Sequence, residues 1–209
     1  MSAEAVFLPV GDTTFLATEL ARGPWDPAAQ HGGAPAALLM RAFERLRTSD
    51  ELVLARVTYE FLRSVPLGEL DVRSSVLRSG RRVQLLEASI FATMEIRFVA
   101  GEFSALGPST GWFRLQVPLV AGESASPLQS LAAAADFGNG ISSVVPWDDH
   151  LFINPDLTLY IERRPAGDWI CLQAQTRISP GGVGIAESRV FDEQGQVGQA
   201  TQALLVARR

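Results

Sequence analysis

One aspartate in an alanine-rich apolar run asks most of its surroundings. Asp136 stands in Leu131-Ala132-Ala133-Ala134-Ala135-Asp136-Phe137-Gly138-Asn139-Gly140, and a carboxylate in a stretch that reads as buried needs partners or a water-filled cleft. Capping the following loop or pairing with an arginine would satisfy it structurally. Ionised, with a reference pKa of about 3.9, it would equally accept a proton or orient a water. Gln202 lies in the last strand, on the face shared by Ala200, Leu204 and Val206; a buried amide there needs hydrogen-bond partners. Asn154 precedes Pro155 at the mouth of a strand, where a turn asparagine is the default reading. His31 closes the segment Gly23-Pro24-Trp25-Asp26-Pro27-Ala28-Ala29-Gln30-His31 and is followed by Gly32-Gly33. It sits just ahead of a helix, where free N–H groups and the helix dipole favour an oxyanion or a carbonyl oxygen. The two glycines would let a ligand approach the backbone. The plainer alternative is that Trp25 and His31 pack the loop against the helix.

Other chemistry is narrowed by residue type. His150 follows Trp147-Asp148-Asp149 in what reads as a polar loop, and zinc would need further ligands that the sequence does not show. There is no Gly-x-Ser-x-Gly elbow. The lone Cys171, in the strand-like Trp169-Ile170-Cys171-Leu172, reads as a buried inert thiol and fits a reducing cytoplasm. All 18 basic residues are arginine, which excludes Schiff-base, P-loop and Ser-Lys chemistry. With 23 acidic residues the formal net charge is −5, unfavourable for binding a phosphate backbone, so no nucleic-acid partner is expected. The N-terminus lacks the positive segment of a signal peptide, and no apolar run is long enough for a membrane span. A soluble, cytoplasmic chain of 209 residues is expected, in one large or two small domains, with a core that needs no staple.

The elements that must position these residues repeat. Val57-Thr58-Tyr59-Glu60-Phe61 lies over Leu157-Thr158-Leu159-Tyr160-Ile161, and Glu87-Ala88-Ser89-Ile90-Phe91 over Glu187-Ser188-Arg189-Val190-Phe191. Turn residues coincide as well: Pro66-Leu67-Gly68 with Pro165-Ala166-Gly167, and Ser79-Gly80 with Pro180-Gly181-Gly182. Each copy is preceded by a helix. The first runs from Ala34 to Arg47, with Leu38, Leu39, Ala42, Phe43 and Leu46 as its apolar stripe and Arg41, Glu44, Arg45 and Arg47 facing away. The second opens at Ser126-Pro127-Leu128-Gln129, a capping-box pattern with Pro at N1, and looks buried nearly all round. A leading strand, a helix and a meander of antiparallel strands are best satisfied by wrapping a curved sheet around the helix. The expected fold class is therefore α+β, a tandem or double hot-dog, with units 1–91 and 92–209.

The copies differ at their ends. After Phe191 come the turn Asp192-Glu193-Gln194-Gly195 and a closing strand from Val197 to Ala207, whereas Phe91 runs straight into Ala92 and what reads as the leading strand of the second unit, from near Glu95. The first unit thus lacks its closing strand and a linker. A bared sheet edge disfavours simple loss, so a stretch omitted near Phe91-Ala92 is expected; it would show as a Cα–Cα step well beyond 3.8 Å.

Gly23-Pro24-Trp25-Asp26, His31-Gly32-Gly33, Ala134 to Gly140 and Phe152-Ile153-Asn154-Pro155-Asp156-Leu157-Thr158 give the whole chain a resemblance to the double hot-dog acyl-CoA thioesterases of the thioesterase II-like group. The resemblance implies a catalytic trio of an aspartate on the second central helix, a threonine or similar residue before the next strand, and a glutamine in the closing strand. Those positions are Asp136, Asn154 and Gln202, with asparagine a departure at the middle one. It further implies hydrolysis of an acyl-CoA by direct attack of water. Asp136 would accept the proton or orient that water, with Gln202 and Asn154 holding it in line. The oxyanion would be met by backbone N–H groups of Gly32 and Gly33, and the substrate by His31 and Trp25. The acyl chain would lie between helix and sheet, with arginines at the mouth meeting the CoA phosphates. Neither metal nor cofactor is required, and a homo-oligomer is expected by analogy. Two other readings stand beside it. Asp26 and His31 have the D-x4-H spacing of hot-dog enoyl-CoA hydratases, without their Asn-Pro pair, and the Asn154 departure is compatible with a non-catalytic acyl-CoA or lipid binder.

Overall fold

Alternating burial along the strands and two apolar helices settle the architecture. The computed structural model describes residues 4–24, 26–46, 53–61, 63–76, 94–103 and 105–208. In chain order these form β1 (Phe7–Pro9), β2 (Thr14–Ala17), a 3-10 turn at Glu19–Ala21, α1 (Gly33–Leu46), β3 (Arg56–Glu60), β4 (Glu69–Asp71), β5 (Met94–Ala100) and β6 (Ser109–Leu115). The second half continues with α2 (Pro127–Ala135), α3 (Gly138–Ile141), β7 (His150–Ile153), β8 (Asp156–Ile161), β9 (Ile170–Ile178), β10 (Val183–Asp192) and β11 (Gly195–Arg208). One antiparallel sheet runs β3-β8-β11-β10-β9-β6-β5, with β7 also paired to β11; a small sheet runs β1-β2-β4.

The order of elements in the first half recurs in the second: hairpin, helix, then strands. Its clearest geometric trace is at β3 and β8, where Thr58 is the register partner of Thr158, the residue it matches in the sequence repeat. The two hydroxyls are 3.2 Å apart, Thr158 donating. The antiparallel strands thus pair at the position they share in the sequence repeat. β6, rather than the strand beginning near Glu95, leads into α2 and borders β9; β5 is its hairpin partner at the sheet edge. Among the described residues β3 pairs only with β8, and β4 belongs to the small sheet. The Phe91-Ala92 junction and the repeat segments Ser79-Gly80 and Glu87–Phe91 lie outside the described residues.

The helices pack on one another and bury their shared face. In α1 every residue from Gly33 to Phe43 is buried, and in α2 every residue from Leu128 to Ala135. Arg41, expected to face away, is buried: its guanidinium lies over the Phe15 ring at 5.0 Å and is neutralised by Glu123. The helix lies between β2 and the 115–126 loop, which leaves its polar face a neighbour that the apolar stripe alone cannot reveal. Ser126 caps α2 by accepting from Gln129 N. Gln129 does not close the capping box; its side chain and the Ser126 hydroxyl both donate to Glu44 near the end of α1. The N-terminus of α2 therefore meets the C-terminal turn of α1, and the antiparallel pair places the C-terminus of α2 beside the N-terminus of α1. His150 opens β7 rather than sitting in a loop. Cys171 is buried in β9, as expected, and burial pushes its thiol pKa up.

Candidate active site

The antiparallel helix pair decides where the polar residues meet. Asp136 is the C-cap of α2, its backbone still helical (φ −71°, ψ −12°), and it is 3% exposed. Asn154 comes from the two-residue link between β7 and β8. Its Nδ2 donates to Asp136 Oδ1 at 2.8 Å. Gln202, in the inward-facing row of β11 with Ala200 and Leu204, is 2% exposed and donates through Nε2 to the same Oδ1 at 3.2 Å and to the Asp136 carbonyl at 3.3 Å. The three residues expected to act jointly therefore converge on one carboxylate.

Two members of the network around that carboxylate were not legible as such. His31, ahead of α1, places Nδ1 3.0 Å from Asp136 Oδ2 and stacks on Phe137, ring centroids 5.0 Å apart. The sequence offered an arginine as the buried acid's partner, or His31 as a ligand of the substrate; only the helix packing brings His31 to Asp136. Asn139 accounts for the other half of the network. Its backbone N–H donates to Gln202 Oε1 at 3.1 Å and its side chain to Asn154 Oδ1 at 3.3 Å. Its spacing of three from Asp136, on one helical face, was the available signal.

The glycines have unequal roles. A Cβ on Gly32 would come within 2.9 Å of Asp136 Oδ2 and 3.1 Å of Phe61, so only glycine lets the loop lie this close to the acid. The backbone N–H of Gly33 is turned to the His31–Asp136 pair, donating to His31 Nδ1 at 3.3 Å and helping to hold the Asp136 charge, which leaves the Gly32 amide as the candidate of the two for an oxyanion. Burial by itself would raise the Asp136 pKa, but the His31 charge and the hydrogen bonds from His31, Asn154 and Gly33 prevail and hold it below the usual carboxylate value. Asp26 accepts from Ala28 N at 2.8 Å in a tight turn, while the His31 ring pairs with Asp136. Trp25 lies outside the described residues.

The network opens on a cleft of 690 Å³ whose lining includes His31, Gly32, Asp136, Asn139 and Asn154, together with Phe61, Phe103, Phe137 and Trp147 and the arginines Arg22 and Arg63. Its walls are loops and the ends of α2 and α3; α2 itself is packed shut against the sheet. Among the described residues no three His, Cys, Asp or Glu side chains are grouped to hold a metal ion, and no helix is long and apolar enough to cross a membrane. A buried, ionised carboxylate held by amides beside a mixed apolar and cationic cleft suits polarising water toward an ester-like carbonyl.

The fold is that of the hot-dog proteins. A conserved protein of unknown function with hot dog fold from Alicyclobacillus acidocaldarius superimposes with a TM-score of 0.69 at 13% identity, over 98% of this chain and 97% of that one. The acyl-CoA thioesterase II TesB2 of Mycobacterium marinum gives 0.67 at 13% identity, over 97% and 95%. The tesB protein MAP1729c of Mycobacterium avium subs paratuberculosis gives 0.65 at 16%, over 96% of each chain. No curated protein matches the sequence. Residues 70–206 match the family profile described as the acyl-CoA thioesterase C-terminal domain, and residues 21–104 that of the N-terminal domain. The chain belongs to the acyl-CoA thioesterase family, and is a thioester hydrolase.

Proposed function

We propose that the protein hydrolyses a fatty acyl-CoA by direct attack of a water activated by Asp136 and held in line by Gln202 and Asn154. The observation that carries this reading is the convergence of both amides on Asp136 Oδ1 at 2.8 and 3.2 Å, at the edge of the cleft. Asparagine at 154 keeps a donor and an acceptor, and both are in use. A thioester is already activated, so positioning a water and meeting the oxyanion suffice without a covalent intermediate. Gly32 N–H is our assignment for the oxyanion; His31, which lines the cleft, and Trp25 are our assignments for contact with the substrate. The tandem arrangement, with units 1–91 and 92–209, is part of the same reading, supported by the repeated order of elements and the Thr58–Thr158 pairing. So are a cytoplasmic location and a homo-oligomer.

One observation favours a second assignment of the proton acceptor. Asp136 already has Asn154, Gln202 and His31 within hydrogen-bond distance of its two oxygens, three of the roughly four donors that a carboxylate can accept. His31 also lines the cleft, so the imidazole would take the proton while Asp136 orients it. A thiol-release assay over a ladder of acyl-CoA lengths decides the matter. With Asp136 as base, Asp136→Asn and Gln202→Ala are expected to lose activity, the former by about 10²–10⁴, while His31→Gln retains most of it. An equally deep loss in His31→Gln assigns the base to the histidine. No thiol from any ester, with acyl-CoA still bound, would make the chain a binder. Loss of enoyl absorbance from crotonyl-CoA without thiol would make it a hydratase.

A further inference from the structure

Two glycines flank Asn139 in α3, and glycine inside a helix is unfavourable against alanine, so each needs a reason. Gly138 has one in packing: a Cβ there would come within 2.6 Å of Ser188 Oγ and 3.0 Å of Gln202 Oε1. Gly140 has no such reason. A Cβ there would meet Trp147 at 3.8 Å and Phe103 at 3.9 Å, which is ordinary contact, and its φ is not positive. Neither collision nor backbone strain excludes alanine. What a side chain would occupy is space in the cleft that also reaches Asp136.

The arginines of that cleft come from one set of loops and its stacked rings from another, although the first set also brings Asp26 and Phe61 to the lining. The loops around residues 22–32 and 61–66 are tied together by Gln30, whose backbone N–H donates to Val65 O at 2.8 Å and whose side chain donates to Pro66 O at 2.7 Å. They carry Arg22, paired with Glu19, and the exposed Arg63. The facing wall is Gly140, Ile153 and the stacked pair Phe103 and Trp147, centroids 5.8 Å apart. Phe103 is 44% exposed, so this wall runs out to solvent. Asp136 stands on the seam, bound by His31 from the first wall and Asn154 from the second. A thioester carbonyl laid against it has one arm on each side. The polyanionic arm belongs with the arginines, and the hydrocarbon arm with the rings.

We propose that the acyl chain runs along the Phe103–Trp147 wall, and that the bare backbone of Gly140 is what admits chains of medium and greater length there. The proposal rests on the acyl-CoA reading of the site, and it takes a path other than the expected one between helix and sheet, where the residues of α2 are buried. Each methylene denied burial costs about fourfold. Gly140→Leu is therefore expected to lower the decanoyl-to-butyryl ratio of kcat/KM at least about tenfold, and Gly140→Ala to lower it by less.

The same ratio is read in binding with S-decyl- and S-butyl-CoA, thioethers that cannot be hydrolysed, using calorimetry on the full chain. Melting curves confirm that each variant folds, and the alanine variant, whose Cβ makes only ordinary contacts, carries the test should leucine not fold. A fall in the binding ratio supports the proposal, even where wild-type protein releases no thiol; in that case the hydrolytic reading fails and the acyl wall stands. Thiol release by wild type with both ratios unmoved by either variant overturns the proposal and leaves the hydrolytic reading intact.

Discussion

His31 and Asp136 form a pair whose pH behaviour has a definite sign. The carboxyl is held below its usual value by the His31 charge and three hydrogen-bond donors that outweigh burial. A group whose pKa is depressed on folding stabilises the protein fully above its unfolded value, about 3.9 for aspartate, and that contribution is lost as pH falls through the folded value. Asp192 behaves alike: Arg163, Ala166 N and Gln194 N hold its carboxyl well below the ordinary range. Stability is therefore expected to fall below about pH 4, as read by urea unfolding at stepped pH. In the rate profile with Asp136 as base, the acid limb lies below the ordinary carboxylate range. His31→Gln removes the largest stabiliser of the ionised form, so that limb should move to higher pH. A limb that stays in place would show that His31 does not set the charge of Asp136.

At the level of elements, the site exists because two helices run antiparallel with their ends tied at both extremities. One end is the active-site pair; the other is Ser126 and Gln129 on Glu44. Ser126→Ala removes an N-cap and a hydrogen bond to a carboxylate, an expected loss of about 1–2 kcal/mol. At this chain length that is a fall of roughly 2–8 °C in Tm, measured by circular dichroism. Ser126→Asp is the sharper probe. Aspartate is as good a cap as serine in general, yet here it faces Glu44, so it should melt below Ser126→Asn. The cap was written in the sequence; its second role, as the clasp between helices, was not, because Glu44 lies 82 positions away.

On the scale of the whole molecule, one sheet joins the two halves through β3 and β8. Leu159 is 1% exposed and sits in β8 between Val57 of β3 and Ala200 of β11. Leu159→Ala should cost about 2–5 kcal/mol and, because α1 packs on α2 as well, should lower one shared transition. Coincident far- and near-ultraviolet melting curves are expected; two separated transitions would mean that the halves unfold independently.

The sequence by itself determined the local chemistry of this protein. Alternating Leu157, Leu159 and Ile161 made a strand with one buried face, Ser126-Pro127 began a helix, and Asp136 in an alanine run demanded partners. These are effects of neighbours within a few residues, which periodicity records. Tertiary structure alone decided that the demand is met by His31, that Arg41 goes inward over the Phe15 ring, and that Gly138 lies too close to Ser188 and Gln202 for a side chain. Each of those outcomes depends on which helix end meets which. Packing geometry sets that relation between residues about a hundred positions apart, and no local pattern encodes it.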